Sequence, residues 1–401
     1  MGNSMTIRCK TLSGVRVLDL TQLLPGPMCT LHLADMGAEV IKIESPKGGD
    51  PVRGHDGSGF SPMFLMLNRN KRSLALNLRT AEGAGVLRRL ARDADVLVEG
   101  FRPGVLDRLG LGSDSLRAEN PKLVVCSITG YGQDGPLSQA AGHDLNYQAI
   151  AGVLDQSGEM GRGPAQGNFP IADLAGGSLS AAMGILAALF DAQRTGRGRH
   201  VDIAMTDCVM AHNIMATSAY NSSGHSPPRG MDYLSGGLAC YGCYRTSDGR
   251  YLAIGAIEMK FWKAVCDTLG RRDLYDKGHL GGRAGQVARA EIAAEIARRT
   301  LREWLAAFDG VDACVTPVLR IDEAVDHPQI AARGMAVRAS HDALDDYVQY
   351  ACPLRMSGFE FGIGRPPPAL GADDVELLAE AGYDDAAIDA LRRAGALREP
   401  G

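Results

Sequence analysis

Short apolar runs alternate with helix-period stretches through the first half of the chain. Val15-Arg16-Val17-Leu18-Asp19-Leu20 reads as a buried strand, Met28 to Met36 as a helix closed by Gly37, and Glu39-Val40-Ile41-Lys42-Ile43-Glu44 as a second strand. Ser73 to Leu78, Asp95 to Glu99 and Leu123 to Ile128 repeat the strand pattern. Ala81 to Asp93 and Val105 to Leu109 supply the intervening helices. Such alternation predicts a mostly parallel, helix-covered sheet whose ligands gather at the carboxyl ends of the strands. Glu44 at the end of the second strand suits a dinucleotide site. The first turn, Thr21 to Pro27, lacks Gly-x-Gly-x-x-Gly, so the backbone offers no close approach to a pyrophosphate there, which argues against NAD.

The pattern changes after Val201 to Met205. Asn221 to Gly230 is rich in Ser, Gly and Pro and reads as a linker. A hairpin follows, Tyr241 to Arg245 and Tyr251 to Ile257 through Asp248-Gly249, then helices at Phe261–Leu269 and Arg289–Phe308 and a closing strand from Ala313 to Leu319. The tail from about His327 carries Pro366-Pro367-Pro368 and an acidic helix pair ending at Leu397. The expected class is therefore α/β: a Rossmann-like large domain from 1–215 and 326–401, a linker at 216–235, and a smaller α+β domain at 236–325.

Composition narrows the partners. The 401 residues are 45% hydrophobic and 22% charged, ample for a packed core. A net charge of −5 makes no case for nucleic acid or an anionic membrane, and no apolar run reaches spanning length free of charges or helix breakers. Nine cysteines and no evident signal peptide suggest a reduced compartment, and the tail Arg398 to Gly401 has no peroxisomal Ser-Lys-Leu, so cytoplasm is the expectation. Cys240-x-x-Cys243 lies in a strand-like run with no second pair at zinc spacing, so no metal is expected. Met1-Gly2-Asn3-Ser4-Met5-Thr6 matches the form of a myristoylation signal, with an upstream start before Met5 as the plainer reading.

Chemistry concentrates at residues 142–177. Gly142-His143-Asp144-Leu145-Asn146-Tyr147 and Asn168-Phe169-Pro170-Ile171-Ala172-Asp173 each deliver an ionisable side chain to a helix start. A lone Asp there is usually a cap and a lone His usually structural, but together they would make a pair of bases. Arg-bearing clusters at expected strand ends, Asn68-Arg69-Asn70-Lys71-Arg72, Gly100-Phe101-Arg102-Pro103 and the neighbouring Thr129-Gly130-Tyr131-Gly132, fit a phosphate-bearing ligand better than solvated charge.

Several stretches carry a resemblance over nearly the whole chain: Pro25-Gly26-Pro27, Gly37 to Glu44, Asn68 to Ser73, Arg102-Pro103-Gly104-Val105, Arg194-Thr195-Gly196-Arg197-Gly198 and Ala313 to Val318. The chain resembles the class III CoA-transferase (CaiB/BaiF-type) superfamily. Gly142 to Tyr147 and Gly255-Ala256-Ile257-Glu258 with Phe261 resemble its α-methylacyl-CoA racemase branch, an isomerase. Ala172-Asp173 is shared with the transferases, where the Asp is the nucleophile. Their glycine-rich loop has only Ser235-Gly236-Gly237 as a counterpart, and Asn168 stands further from Asp173 than racemases commonly have it.

The resemblance implies epimerisation of 2-methylacyl-CoA thioesters by 1,1-proton transfer through an enolate. His143 and Asp173 would be the acid/bases, Glu258 would orient His143 from the partner subunit of an interlocked homodimer, and Asp144 would offer its N–H to the enolate oxygen. The alternative it leaves is a CoA-transferase working through an Asp173 thioester. CoA, part of the substrate rather than a cofactor, would meet Arg53, Asn77, Leu78, Arg79, Gly100, Phe101, Arg102 and Arg108, with Gly142, Leu145, Asn146 and Tyr147 at the thioester end. The acyl group is left open.

Overall fold

The computed structural model describes residues 11–54 and 59–398, so the myristoylation-like N-terminus lies outside the described residues. The chain divides into two compact units: 1–148, 169–209 and 328–401 form the first, and 149–168 with 210–327 the second. The segment 149–168, expected in the large domain, thus groups with the second unit.

In the first unit the alternating pattern becomes β1 (Arg16–Asp19), β2 (Glu39–Glu44), β3 (Lys71–Ala75), β4 (Val96–Glu99), β5 (Val124–Thr129) and β6 (His200–Ala204). Their order across the sheet is β3-β2-β1-β4-β5-β6, every pair parallel. That is the doubly wound order, with its switch point between β1 and β4. Leu18, Ile41, Leu74 and Leu97 from β1 to β4 pack with Val86, Leu87 and Leu90 of helix Ala81–Arg92. The tail completes this layer. Leu377 and Leu378 of helix Asp374–Glu380 and Ile388 and Leu391 of helix Asp385–Arg393 join the same core. Ser73 N–H donates to Asp373 Oδ2 at 2.8 Å, and Leu76 bridges to Leu397 beyond it. The hairpin β10–β11 (Ala336–His341, Leu344–Tyr350) of this unit was not expected from the pattern.

The other face is covered by helix Pro25–Asp35 and by a long helical run, π-helical over Ala172–Leu179 and α-helical over Ser180–Thr195. By length and composition alone Ala172–Thr195 is apolar enough to cross a membrane, although Gly176, Gly177, Gly184 and the charges of Asp173, Asp191 and Arg194 interrupt it. Here Ala181, Ile185, Ala188 and Ala192 are buried and the helix packs on β5 and β6.

Beneath the strand ends lies a buried ionic cluster. Lys71 Nζ meets Asp19 Oδ2 at 3.1 Å and Lys42 Nζ meets Asp50 Oδ2 at 2.8 Å, all four side chains fully buried. Burial alone would raise the Asp19 carboxyl, but Lys71 and Lys42, with hydrogen bonds from Thr21 and Thr30, hold it at about 2. The second unit pairs β7 (Tyr241–Arg245), β8 (Tyr251–Gly255) and β9 (Val315–Pro317) antiparallel, over a core containing Trp262 and Trp304. The helix expected at Arg289–Phe308 is two, Gly282–Ile296 and Leu301–Ala307, because Thr300 and Glu303 form a capping box that starts the second. The expected linker begins late: helix Ile214–Ser223 runs into it and stops at Gly224, φ 73°.

Removing one partner of a buried pair strands the other charge. Lys71→Met should lower the stability of the first unit by about 3–5 kcal/mol, measured by urea unfolding. A loss below 1 kcal/mol would mean that Lys42 alone satisfies Asp19.

Candidate active site

At the carboxyl ends of β1, β4, β5 and β6 opens a cavity of about 400 Å³, formed wholly by the first unit. The turn Leu20–Gly26 walls it after β1, Gly100–Pro103 after β4, and Ile128–Tyr131 after β5. This is where a doubly wound sheet leaves a crevice. His143 and Asp173, predicted as a pair of bases, both line it.

A single carboxylate joins the two stretches that bear them. Asp144 Oδ1 accepts the backbone N–H of Ala172 at 2.7 Å and of Asp173 at 3.1 Å, and Gln148 Nε2 donates to Oδ2 at 2.5 Å. Asp144 therefore caps the helix that begins at Ala172, satisfying two of the donors that a helix start leaves free. His143 is fixed locally. Its N–H donates to Asn146 Oδ1 at 3.0 Å and its carbonyl accepts Asn146 N–H at 2.8 Å, while the imidazole is exposed to the cavity. Tyr147, buried, donates its hydroxyl to Gly142 O at 2.5 Å, and a Cβ at Gly142 would fall 2.7 Å from its ring. Gly177 serves the opposite wall: a Cβ there would lie 3.0 Å from Pro25 and 3.1 Å from the Met205 sulfur, so the helix can sit against both.

Burial, with the Asp144 charge beside it, pushes the Asp173 carboxyl up to about 6, while His143 pulls the other way. Burial likewise raises the Tyr147 hydroxyl to about 12, so it stays a neutral donor. Asp173 is thus a group that can hold or release a proton near neutrality.

The structure sorts the remaining candidates. Gly100, Phe101, Arg102, Gly142 and Tyr147 line the cavity. Arg102, in the loop after β4, and Arg108, at the end of the helix that follows, are exposed, with no ion-pair partner among the described residues. Arg79 is exposed beyond β3, where Asn77 ties the turn by accepting Arg79 N–H and donating to Gly395 O at 3.0 Å; Leu78 packs on the core. Leu145 and Asn146 are exposed on the helix but outside the cavity wall. Arg53 is a correction. It is buried, donates to both Glu44 oxygens at 2.8 and 2.7 Å and to Gly59 O and Pro368 O, and stacks 3.9 Å from Phe64. A guanidinium so engaged holds the fold rather than a phosphate. Arg69 and Lys71 are corrected likewise, since both are buried in ion pairs, with Asp35 and Asp19.

Glu258 lies in the second unit, immediately before helix Met259–Leu269, its carboxylate exposed and without a hydrogen bond among the described residues. Asn168, also in the second unit, is exposed. The wall after β1 was not expected from the sequence, since its turn carries no glycine fingerprint. Pro25-Gly26-Pro27, closing the turn after β1, was the available signal, and in that turn Leu23 takes φ 66° and donates its N–H to Asp50 Oδ1 at 3.1 Å.

Replacing Asp144 by Asn keeps an acceptor for the two N–H groups but removes the charge. The Asp173 titration should then move below its value of about 6, read by carboxyl infrared difference spectroscopy. An unmoved midpoint would assign the shift to burial alone.

Comparison with known proteins adds a separate line. Residues 12–374 match CoA-transferase family III. The chain is 37% identical over 372 residues to the human "Alpha-methylacyl-CoA racemase", covering 93% of this chain and 94% of that one. It is 34% identical over 390 residues to the "Succinate--glutarate CoA-transferase" of Agrobacterium fabrum, covering 94% and 97%. The crystal structure of a CaiB/BaiF family protein from Brucella suis superposes with a TM-score of 0.80 at 32% identity, over 92% of this chain and 99% of that one.

Proposed function

The chain belongs to CoA-transferase family III, and from that premise we propose that it epimerises 2-methylacyl-CoA thioesters by moving the α-proton between two faces of an enolate. The observation that carries the reading is that His143 and Asp173 line the same cavity, the Asp173 carboxyl raised to about 6. Inversion needs a base on one face of the α-carbon and an acid on the other, their roles exchanging with direction. A neutral imidazole and a carboxylate of raised basicity suit those roles. The relatives support it too: racemases are 37% and 36% identical, transferases 32–34%.

In this reading the thioester carbonyl faces the start of helix Asp144–Ile150, whose first N–H has no acceptor within the helix and donates to the oxygen as it gains charge. Arg102 and Arg108 take the CoA phosphates, for which a planar guanidinium fork is fitted. Met205 at the cavity wall and the Thr21–Gly26 turn lie along the acyl path. Glu258 orients His143 of a second copy of the chain in a homodimer. Leu179, Met183 and Phe190, exposed along one face of helix 172–195, are apolar surface that such a partner would cover.

The alternative, that Asp173 is the nucleophile of a CoA-transferase, rests on the transferase relatives. Proton NMR of a single-enantiomer 2-methylacyl-CoA in D₂O, with no acceptor acid present, separates the two. Racemisation predicts loss of the α-proton signal and appearance of both epimers, reduced by about 10²–10⁴-fold in His143→Ala. A silent α-proton, with CoA moving only after a carboxylic acid is added, would establish the transferase. The direction in which Asp173 is the base should also lose rate as pH falls through about 6, since only the ionised carboxylate accepts the proton. A rate flat from pH 5 to 8 would remove Asp173 from that role.

A further inference from the structure

Among the described residues four buried side-chain polar atoms have no hydrogen-bond partner. Two of them, Ser113 Oγ and Gln133 Nε2, belong to residues that line one pocket. A buried polar group left unpaired is costly, so two beside the same space point to an occupant that pairs them. The pocket, about 190 Å³, lies wholly in the first unit and is separate from the cavity that holds His143 and Asp173. Only Arg102 and Pro103 line both.

Glu99 of β4, Ser127 of β5 and His200 of β6 line it, with Asp107 from helix Val105–Arg108 and Ser113 from the start of helix Ser113–Glu119. Some of these groups already have protein partners. Ser127 Oγ lies 2.9 Å from His200 Nε2, and Phe101 N–H donates to Glu99 Oε2 at 2.7 Å. Gln133 is anchored through its backbone, whose N–H donates to Asp202 Oδ2 at 3.0 Å, while its Nε2 stays unpaired. Asp107 lies against Gly112: a Cβ there would fall 1.9 Å from Asp107 Oδ1, so glycine leaves room for the carboxylate beside the backbone that leads into Ser113.

Charge, spacing and size set the class of occupant. Glu99, Asp107 and Asp114 are acids and Arg102 is the one strong cation among the lining residues, so a phosphate or a dicarboxylate meets net repulsion. No three His, Cys, Asp or Glu side chains among the described residues group as a metal ion needs. An amino-acid zwitterion wants acids and donors at opposite ends of its site, whereas Asp107 and Ser113 adjoin each other across Gly112. A hydroxyl both donates and accepts, so it answers a carboxylate and a neighbouring unpaired donor together. The space is smaller than the roughly 300–1,000 Å³ of drug-sized sites. We propose that this pocket binds a compact neutral polyol, of monosaccharide size, whose hydroxyls donate to Glu99 and Asp107 and accept from Ser113 and Gln133.

The test is saturation-transfer NMR and calorimetry of the full chain with D-ribose, myo-inositol and glycerol as probes, and with sulfate and glycine as comparators. At least one polyol should bind saturably. Its affinity should fall roughly two- to tenfold in Ser113→Ala and by a similar factor in Gln133→Leu, the loss expected for one hydrogen bond each. Both variants keep the backbone bonds of the parent, including Gln133 N–H to Asp202. Binding should survive His143→Ala, which alters the larger cavity alone. Absence of saturable binding by all three polyols would overturn the proposal, and so would an affinity unchanged in both pocket variants. Loss of binding in His143→Ala would place the polyol in the larger cavity and overturn it equally. Binding of sulfate or glycine in preference to every polyol would overturn the neutral class.

Discussion

Two hydrogen bonds to one oxygen hold the site together. Asp144 Oδ1 receives the N–H of both Ala172 and Asp173, joining two stretches that the sequence separates. The same carboxylate supplies the charge that, after burial, raises Asp173. Geometry and proton affinity therefore meet at one residue, whose oxygen holds the two N–H groups and whose charge adds to burial in raising Asp173. The role expected for this residue was that of its backbone N–H; the side chain does at least as much.

The cavity also depends on its floor. The paired Asp19, Lys71, Lys42 and Asp50 carry their charges into the protein interior, where each is tolerated only with its partner. Asp50 extends that rigidity upward. Its Oδ1 accepts the N–H of Leu23, fixing the unusual backbone of the turn that walls the cavity. A turn without the glycine fingerprint is held instead by charge placed underneath it.

Much of this was legible in the sequence, because period is local. Five of the six parallel strands follow from runs of apolar residues bounded by breakers, within a few residues of where they lie, while β6 (His200–Ala204) was passed over. His143 and Asp173 were legible because each sits in a loop with helix-start chemistry. What escaped depended on contacts distant in sequence. Arg53, Arg69 and Lys71 look like phosphate ligands until Glu44, Asp35 and Asp19 are seen to claim them. The single helix expected at Arg289–Phe308 broke at a capping box that was visible in Thr300 and Glu303 but outweighed by the apolar periodicity around it. The hairpin β10–β11, polar on much of its surface, gave the pattern little to read.

The tail that completes the sheet layer has a consequence for biosynthesis. Leu377, Leu378, Ile388 and Leu391 fill a core whose other half, Leu18 through Val125, leaves the ribosome hundreds of residues earlier. The segment 210–327, with its own Trp262 and Trp304 core, emerges whole in between. Domains fold as units during synthesis, so the inserted unit can mature first while the nascent strands wait with one face uncovered. The cavity's sheet is finished only after the inserted unit, and termination before helices Asp374–Glu380 and Asp385–Arg393 leaves an apolar surface for chaperones to hold.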